Sequence, residues 1–335
     1  MKMCAKSTGV LVLAAFGMLW LTGCDRSDPG TRLDSQTNAV DCLPGDPNAL
    51  TFDRAVCLCG EMDKVGAGLT TSGFSSWCLG RGCSDGEGQA HVGINGQAQS
   101  RGHFKVDGDL DIAGSAEFIA ASTIEGDLLV GGDLTTRGSL WVANDAYVGG
   151  ELSTRGQIKL GGSLSDEYQA IPPCACDPES FIDVAGEVAA HALSATELQL
   201  PHDKGKVEIH LAEGDYYAAD GAFMRGSLRV FIEGAVRLYV DADVETIGNA
   251  VFDLAEGAEL DLYIAGSLRK VGHLRLVRSD EAEAARQVRI YIGGDEDVQL
   301  DLTGNSRFVG FIYAPTADVL YRGNVRIDGA LFARN

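Results

Sequence analysis

From Ile94 to Leu164 small and apolar positions return on a six-residue beat. Glycine marks it at Gly96, Gly102, Gly108, Gly114, Gly126, Gly132, Gly138, Gly150, Gly156 and Gly162, and Ala120 and Asn144 fill the two open beats. Apolar residues stand two places before the beat, as at Val106, Ile112, Ile124 and Val130, and two places after it, as at Leu110, Leu128, Leu134 and Leu140. Positions two apart share one side of an extended chain, so each glycine and its apolar flanks are expected on one strand face. Short strands on a fixed period, with no helix between them, predict a β-solenoid. A turn of three hexads aligns Leu110, Leu128, Ala146 and Leu164 as an inner ladder.

The same turn stacks Asp109, Asp127 and Asp145 in one column and Asp133 over Glu151 in another. Like charges at directly paired positions repel. Two devices can offset this. An aspartate can cap a turn by accepting backbone hydrogen bonds, or the carboxylates can hold a cation, calcium being the natural choice. Turn capping is favoured because the Gly-Gly-x-Gly-x-Asp nonapeptide of calcium-binding rolls is absent.

Alternation returns with irregular spacing after Lys206. Val207-Ile209-Leu211, Leu228-Val230-Ile232, Val236-Leu238-Val240, Leu260-Leu262-Ile264, Val288-Ile290-Ile292 and Val298-Leu300-Leu302 each predict a strand. Tyr239, Tyr263 and Tyr291 hold equivalent places in three of them and predict an outward aromatic ladder. That ladder is either a carbohydrate- or protein-binding strip or a device that fixes register. Between the halves, Asp177-Pro178-Glu179 opens a helix expected over 178–194, with an apolar stripe of Phe181, Ala185, Val188, Ala189 and Ala192. Ser279 to Arg286 reads as a short helix or helical loop.

The first residues change the picture from a fold to an exported fold. Lys2 and Lys6 precede an apolar run from Gly9 to Leu19 that is too short to span a membrane. Leu21-Thr22-Gly23-Cys24 follows, and it resembles the lipobox of bacterial lipoproteins. The resemblance implies cleavage before Cys24, lipid attachment to its thiol, and an extracytoplasmic location on the inner or the outer membrane. The organisation read from the chain is a signal peptide over 1–23, a tether over 24–40, a Cys-rich cap over 41–93, and hexad coils over 94–170. A Pro/Cys linker and helix then occupies 171–200, and irregular coils occupy 201–335.

Seven cysteines follow the lipobox: Cys42, Cys57, Cys59, Cys78, Cys83, Cys174 and Cys176. Export favours disulfides over zinc, and the odd number leaves one thiol over. Their connectivity is not readable from the spacing.

Two further resemblances bear on fold. Val106-Asp107-Gly108-Asp109-Leu110 and Val130-Gly131-Gly132-Asp133-Leu134 resemble the bactofilin class of bacterial β-helical scaffolds, although hexapeptide acyltransferases share the period. Ile312-Tyr313-Ala314-Pro315, with Gly323-Asn324 and Gly329-Ala330, resembles a repeat domain of bacterial surface and pilus-assembly-type proteins. In that domain the phrase is Ile-Tyr-Ala-Pro-Asn-Ala, and Thr316 here replaces the Asn. Together they imply an all-β, single-stranded parallel β-helix, right-handed, with one inserted α-helix, and no established reaction.

A formal net charge of -21 argues against nucleic acid as a partner. The partners expected are a membrane reached through the lipid, and envelope proteins or polysaccharide. No catalytic set stands out. His103 holds the slot where an acyltransferase would place a base, but such enzymes are cytosolic. Asp295, Asp297 and Asp301 with Arg289 could line the groove of a carbohydrate-active enzyme, the main rival to a non-enzymatic scaffold or adhesive module. A cation-stiffened assembly module is the third reading.

Overall fold

The computed structural model describes residues 54–65, 69–72, 90–202, 204–271, 273–277, 287–294 and 298–335. The chain divides into Met1–Asp41 and Cys42–Asn335, and all described residues belong to the second unit. Cys24, the tether, Cys42, Cys78, Cys83, Asp295, Asp297 and the expected helical loop at 279–286 lie outside them.

The described residues form a parallel β-solenoid with one short helical insertion. In the hexad half each coil has three three-residue strands. Leu110–Ile112, Ala116–Phe118 and Ser122–Ile124 are one such set. The outer two residues of each strand point inward and the middle one outward, a direct reading of the period-two rule. Leu110 pairs with Leu128, Leu128 with Ala146 and Ala146 with Leu164, as the eighteen-residue turn requires.

The glycines correct one expectation. They lie at the corners between strands, so Val106 ends one strand and Leu110 begins the next. A Cβ on Gly114 would come within 2.6 Å of the Gly96 carbonyl oxygen one coil away. Coils at 4.8 Å spacing leave no room for a side chain there.

Coils in the second half are longer. Gly214 pairs with Val236, Val236 with Leu260, and Leu260 with Val288, and the added length goes largely into longer strands such as Ala222–Ile232 and Val244–Leu254, which keep register. One corner is built from Gly205, Gly226 and Gly248, all at positive φ, a backbone state that glycine adopts without steric cost.

The order of coils along the axis is not the order of the chain. The first described strand, Val56–Leu58, lies between Asp318–Ala333 and Val92–Ile94: Val56 pairs with both Leu331 and Val92. Leu69 likewise pairs with Val325 on one side and Phe104 on the other. The Cys-rich segment expected as a cap is therefore, over its described strands, an interior coil. Val56–Leu58 and Leu69–Ser72 have a strand on either side, while the strand between them, Met62–Val65, pairs only with Ala98–Ser100 and ends its sheet. The chain enters mid-solenoid and winds out through the hexads to Leu164–Ser165. It then returns along the outside and winds back from Thr196–Glu197 to the middle. One inner column runs through both halves: Leu238, Leu262, Ile290, Ile312, Leu331, Val56, Val92, Leu110. Every member is at most 5% exposed.

Candidate functional site

The residue after each member of that inner column points outward, and these residues stack into a second column. It runs Tyr217, Tyr239, Tyr263, Tyr291, Tyr313, Phe332, Cys57, Gly93, Asp111, Leu129, Tyr147. The returning segment 166–195 lies along it as a strap and meets its members in turn. Tyr168 packs on the Tyr147 ring and donates to Asp111 Oδ1 at 3.3 Å. Asn95 fixes Cys174 by two backbone hydrogen bonds of 2.9 Å. Cys174 is bonded to Cys57 and Cys176 to Cys59. Phe181 meets Phe332 edge to face, and Ile182 N–H donates to Tyr313 Oη at 3.1 Å.

The strap then forms a 3-10 turn, Pro178–Ser180, and the helix α1, Val184–His191. The single helix expected over 178–194 is thus two short pieces. Asp177 caps the first, as its sequence position predicts, and Asp183 caps the second by accepting from Gly186 N–H. The buried face of α1 is Val184 and Val188, of which only Val188 belonged to the expected stripe. The break at Phe181–Asp183 resets the helical phase.

Under α1 the tyrosine ladder is real but covered. Tyr239 and Tyr263 stack at 5.0 Å, Tyr263 and Tyr291 at 4.4 Å, and His191 lies flat on Tyr239 at 4.2 Å. These three tyrosines are at most 3% exposed. They are the seat of the helix, and the outward strip imagined as an open binding surface is not open. Burial drives the Tyr239 phenol up to about 12, with Asp215 adding to it, and raises Tyr263 and Tyr313 as well.

The acidic columns are wired by hydrogen bonds. Asp127 N–H donates to Asp109 Oδ1 at 2.7 Å, and Asp145 N–H to Asp127 Oδ1 at 3.0 Å. Ser163 N–H donates to Asp145 Oδ1 at 2.6 Å, and Glu151 N–H to Asp133 Oδ1 at 2.8 Å. Each carboxylate thus caps the corner of the next coil. Burial pushes the Asp109 carboxyl up, but hydrogen bonds from His91 and from Asp127 N–H outweigh it and leave it below the usual range. Asp145 is held low by the Ser163 N–H and hydroxyl. Asp111 goes the other way, raised by burial that Arg54 only partly offsets. Among the described residues no group of three or more His, Cys, Asp or Glu side chains is placed to hold a metal ion.

The remaining candidates stay apart. His103 is exposed at a hexad corner. Arg289 pairs with Asp261 and, at 2.9 Å, with Glu259 on the neighbouring strand. Asp301 is buried, and the other two acids of the proposed groove lie outside the described residues. A shallow depression of about 560 Å³ lies on the second hexad face, lined by Gln99, Glu117, Asp133, Thr135 and Arg137 among others. Among its lining residues, the acid Glu117 and the base Arg137 are tied to each other in an ion pair of 2.7 Å. The strap and the placement of the first coil were missed in the sequence. The signal was present: two Cys-x-Cys motifs, Cys57/Cys59 and Cys174/Cys176, bond pairwise in parallel.

A family model described as a domain of unknown function (DUF7305) matches residues 176–335, from the strap through the second half of the solenoid. A search of curated proteins finds no match. Among solved structures, an ice-binding protein from the Antarctic ascomycete Antarctomyces psychrotrophicus is similar at 12% identity and a TM-score of 0.24. The alignment covers 66% of this chain and 94% of that one.

Proposed function

We propose that this protein is a non-enzymatic, lipid-anchored scaffold of a bacterial cell envelope. The observation that carries this reading is how the chemically capable side chains are used. The aspartate column caps corners, the tyrosine column seats α1, and the cysteine pairs bolt the strap to the first coil. Groups fixed in structural bonds are unavailable for proton transfer or nucleophilic attack. Leu21-Thr22-Gly23-Cys24 supports attachment, since acyl chains at Cys24 would bury methylenes at about 0.8 kcal/mol each. Disulfides in the folded body agree with an oxidising, extracytoplasmic setting.

The test is fractionation with metabolic palmitate labelling of the wild type and Cys24→Ala. The wild type is expected in the membrane fraction, labelled and detergent-released, and the variant unlabelled and soluble. A variant that stays equally membrane-bound defeats the anchor.

A further inference from the structure

The chain is acidic overall, yet its charges are sorted around the solenoid. Every Lys and Arg from Ile94 to Leu164 lies on one corner and the face beside it: Arg101, Arg137 and Arg155 on the corner, Lys105 and Lys159 on the face. The aspartate columns lie at the other two corners. Pairing makes the face a single file. Lys159 stands beside Trp141, Trp141 beside Thr123, Thr123 beside Lys105 and Lys105 beside Thr70. The register continues across the junction to Arg326. Five coil steps of about 4.8 Å give a track of ~24 Å.

Glu117 borders the track on its basic side and pairs with Arg137 at 2.7 Å, while Asp107 and Glu125 border the other side, where Glu125 pairs with Lys105 at 3.4 Å. Arg101, Arg155 and Lys159 are exposed and form no ion pair among the described residues. Trp141 is 40% exposed and pairs across the sheet with Thr123 on one side and Lys159 on the other. The strap runs over a different face.

We propose that this track is a binding site for an extended, carboxylate-bearing polysaccharide. Cations repeated along one line match a linear polyanion, and Arg and Lys make charge-assisted hydrogen bonds to carboxylates. The electron-rich indole face attracts the C–H-rich face of a sugar ring. A membrane surface would call for an apolar wedge, whereas Trp141 is flanked by Thr and Lys. The surrounding acidic surface disfavours polyanions as charge-dense as nucleic acid. This gives the binding side of the scaffold reading a location, but it does not depend on the lipid.

The test uses the full chain in neutral detergent, with affinity electrophoresis in gels holding polygalacturonate or uncharged dextran. Polygalacturonate is expected to retard the protein, and dextran to leave it unretarded, with retardation falling as salt rises. Arg155→Glu with Lys159→Glu should weaken binding at least about tenfold, and Trp141→Ala several-fold at unchanged net charge. A control reversal at the far end of the solenoid, Lys206→Glu with Arg225→Glu, should leave affinity at the wild-type value. All these side chains are exposed, so unchanged thermal unfolding accompanies each variant. Equal binding by the track and control variants, or retardation by dextran, overturns the proposal. So does a preference for anionic over neutral vesicles that only the track variants lose, without polygalacturonate binding. Because binding is read in detergent, failure of the anchor at Cys24 leaves this result standing.

Discussion

The two disulfides make a quantitative prediction about cooperation between bonds. Cys57–Cys174 and Cys59–Cys176 each join residues 117 apart in sequence, and the enclosed chain contains the remaining hexad coils. Closing such a loop in the unfolded chain is worth about 5 kcal/mol on the chain-entropy model. With one bridge in place, the other closes only the small ring formed by the two Cys-x-Cys segments. On the same model that ring is worth about 2 kcal/mol. Replacing Cys59 and Cys176 together by Ala should thus cost about 2 kcal/mol, and so should replacing Cys57 and Cys174. Replacing all four should cost about 7 kcal/mol, some 3 more than the sum of the two pair deletions. Removing both partners of a bridge leaves no new thiol to exchange. The assay is urea unfolding without reductant for the wild type, both pair variants and the quadruple variant. Additive costs would refute the reasoning, because they would mean that the bridges act through native contacts and not through a shared loop.

The covered ladder predicts that Val188→Asp, which places a charge on the fully buried face of α1, frees the helix. Faster hydrogen exchange over 184–191 and easier ionisation of Tyr239 should appear together in exchange and ultraviolet pH titrations; unchanged tyrosine titration would reject the seat assigned to α1. With the folded Tyr239 pKa at about 12 and the unfolded value at about 10, the phenol's contribution is intact below pH 10 and lost as pH rises towards 12. Asp109 and Asp145 are shifted down, so their contribution is present above the ordinary aspartate range and lost as pH falls through their folded values; a stability profile flat at both extremes would contradict both. Asp127→Ala, which strips the Asp145 N–H of its acceptor, should cost about 1 kcal/mol, with most of it recovered by Asn. Chelator should leave the wild-type melting temperature unchanged, and a fall of several degrees would restore the cation reading of the column.

The inner ladder of the hexads was readable because its cause is local. Corners admit only small residues, strands alternate, and eighteen residues close a turn. The strands after Lys206 were readable for the same reason. What sequence could not supply is the pairing of Val56 with Leu331. The two segments share no period, and each alone reads as an ordinary strand. Tyr239, Tyr263 and Tyr291 were recognisable as a ladder, but nothing in their own strands says what lies on it. That depends on a strap whose phase breaks at Ile182. The basic track escaped notice because its members are scattered in sequence and converge only when the coils are stacked.

The central placement of the first coil has a consequence for folding. The strand Val56–Leu58 takes one neighbour, Val92–Ile94, from nearby sequence and the other, around Leu331, from far along the chain. Until that distant strand docks, a bare β-edge faces outward at the waist of the molecule, open to the wrong neighbour. Closing the waist and joining the two halves are thus one event. A molecule that lacks the strand Asp318–Ala333 keeps the sticky seam that the folded body hides, and so marks itself for proteolysis.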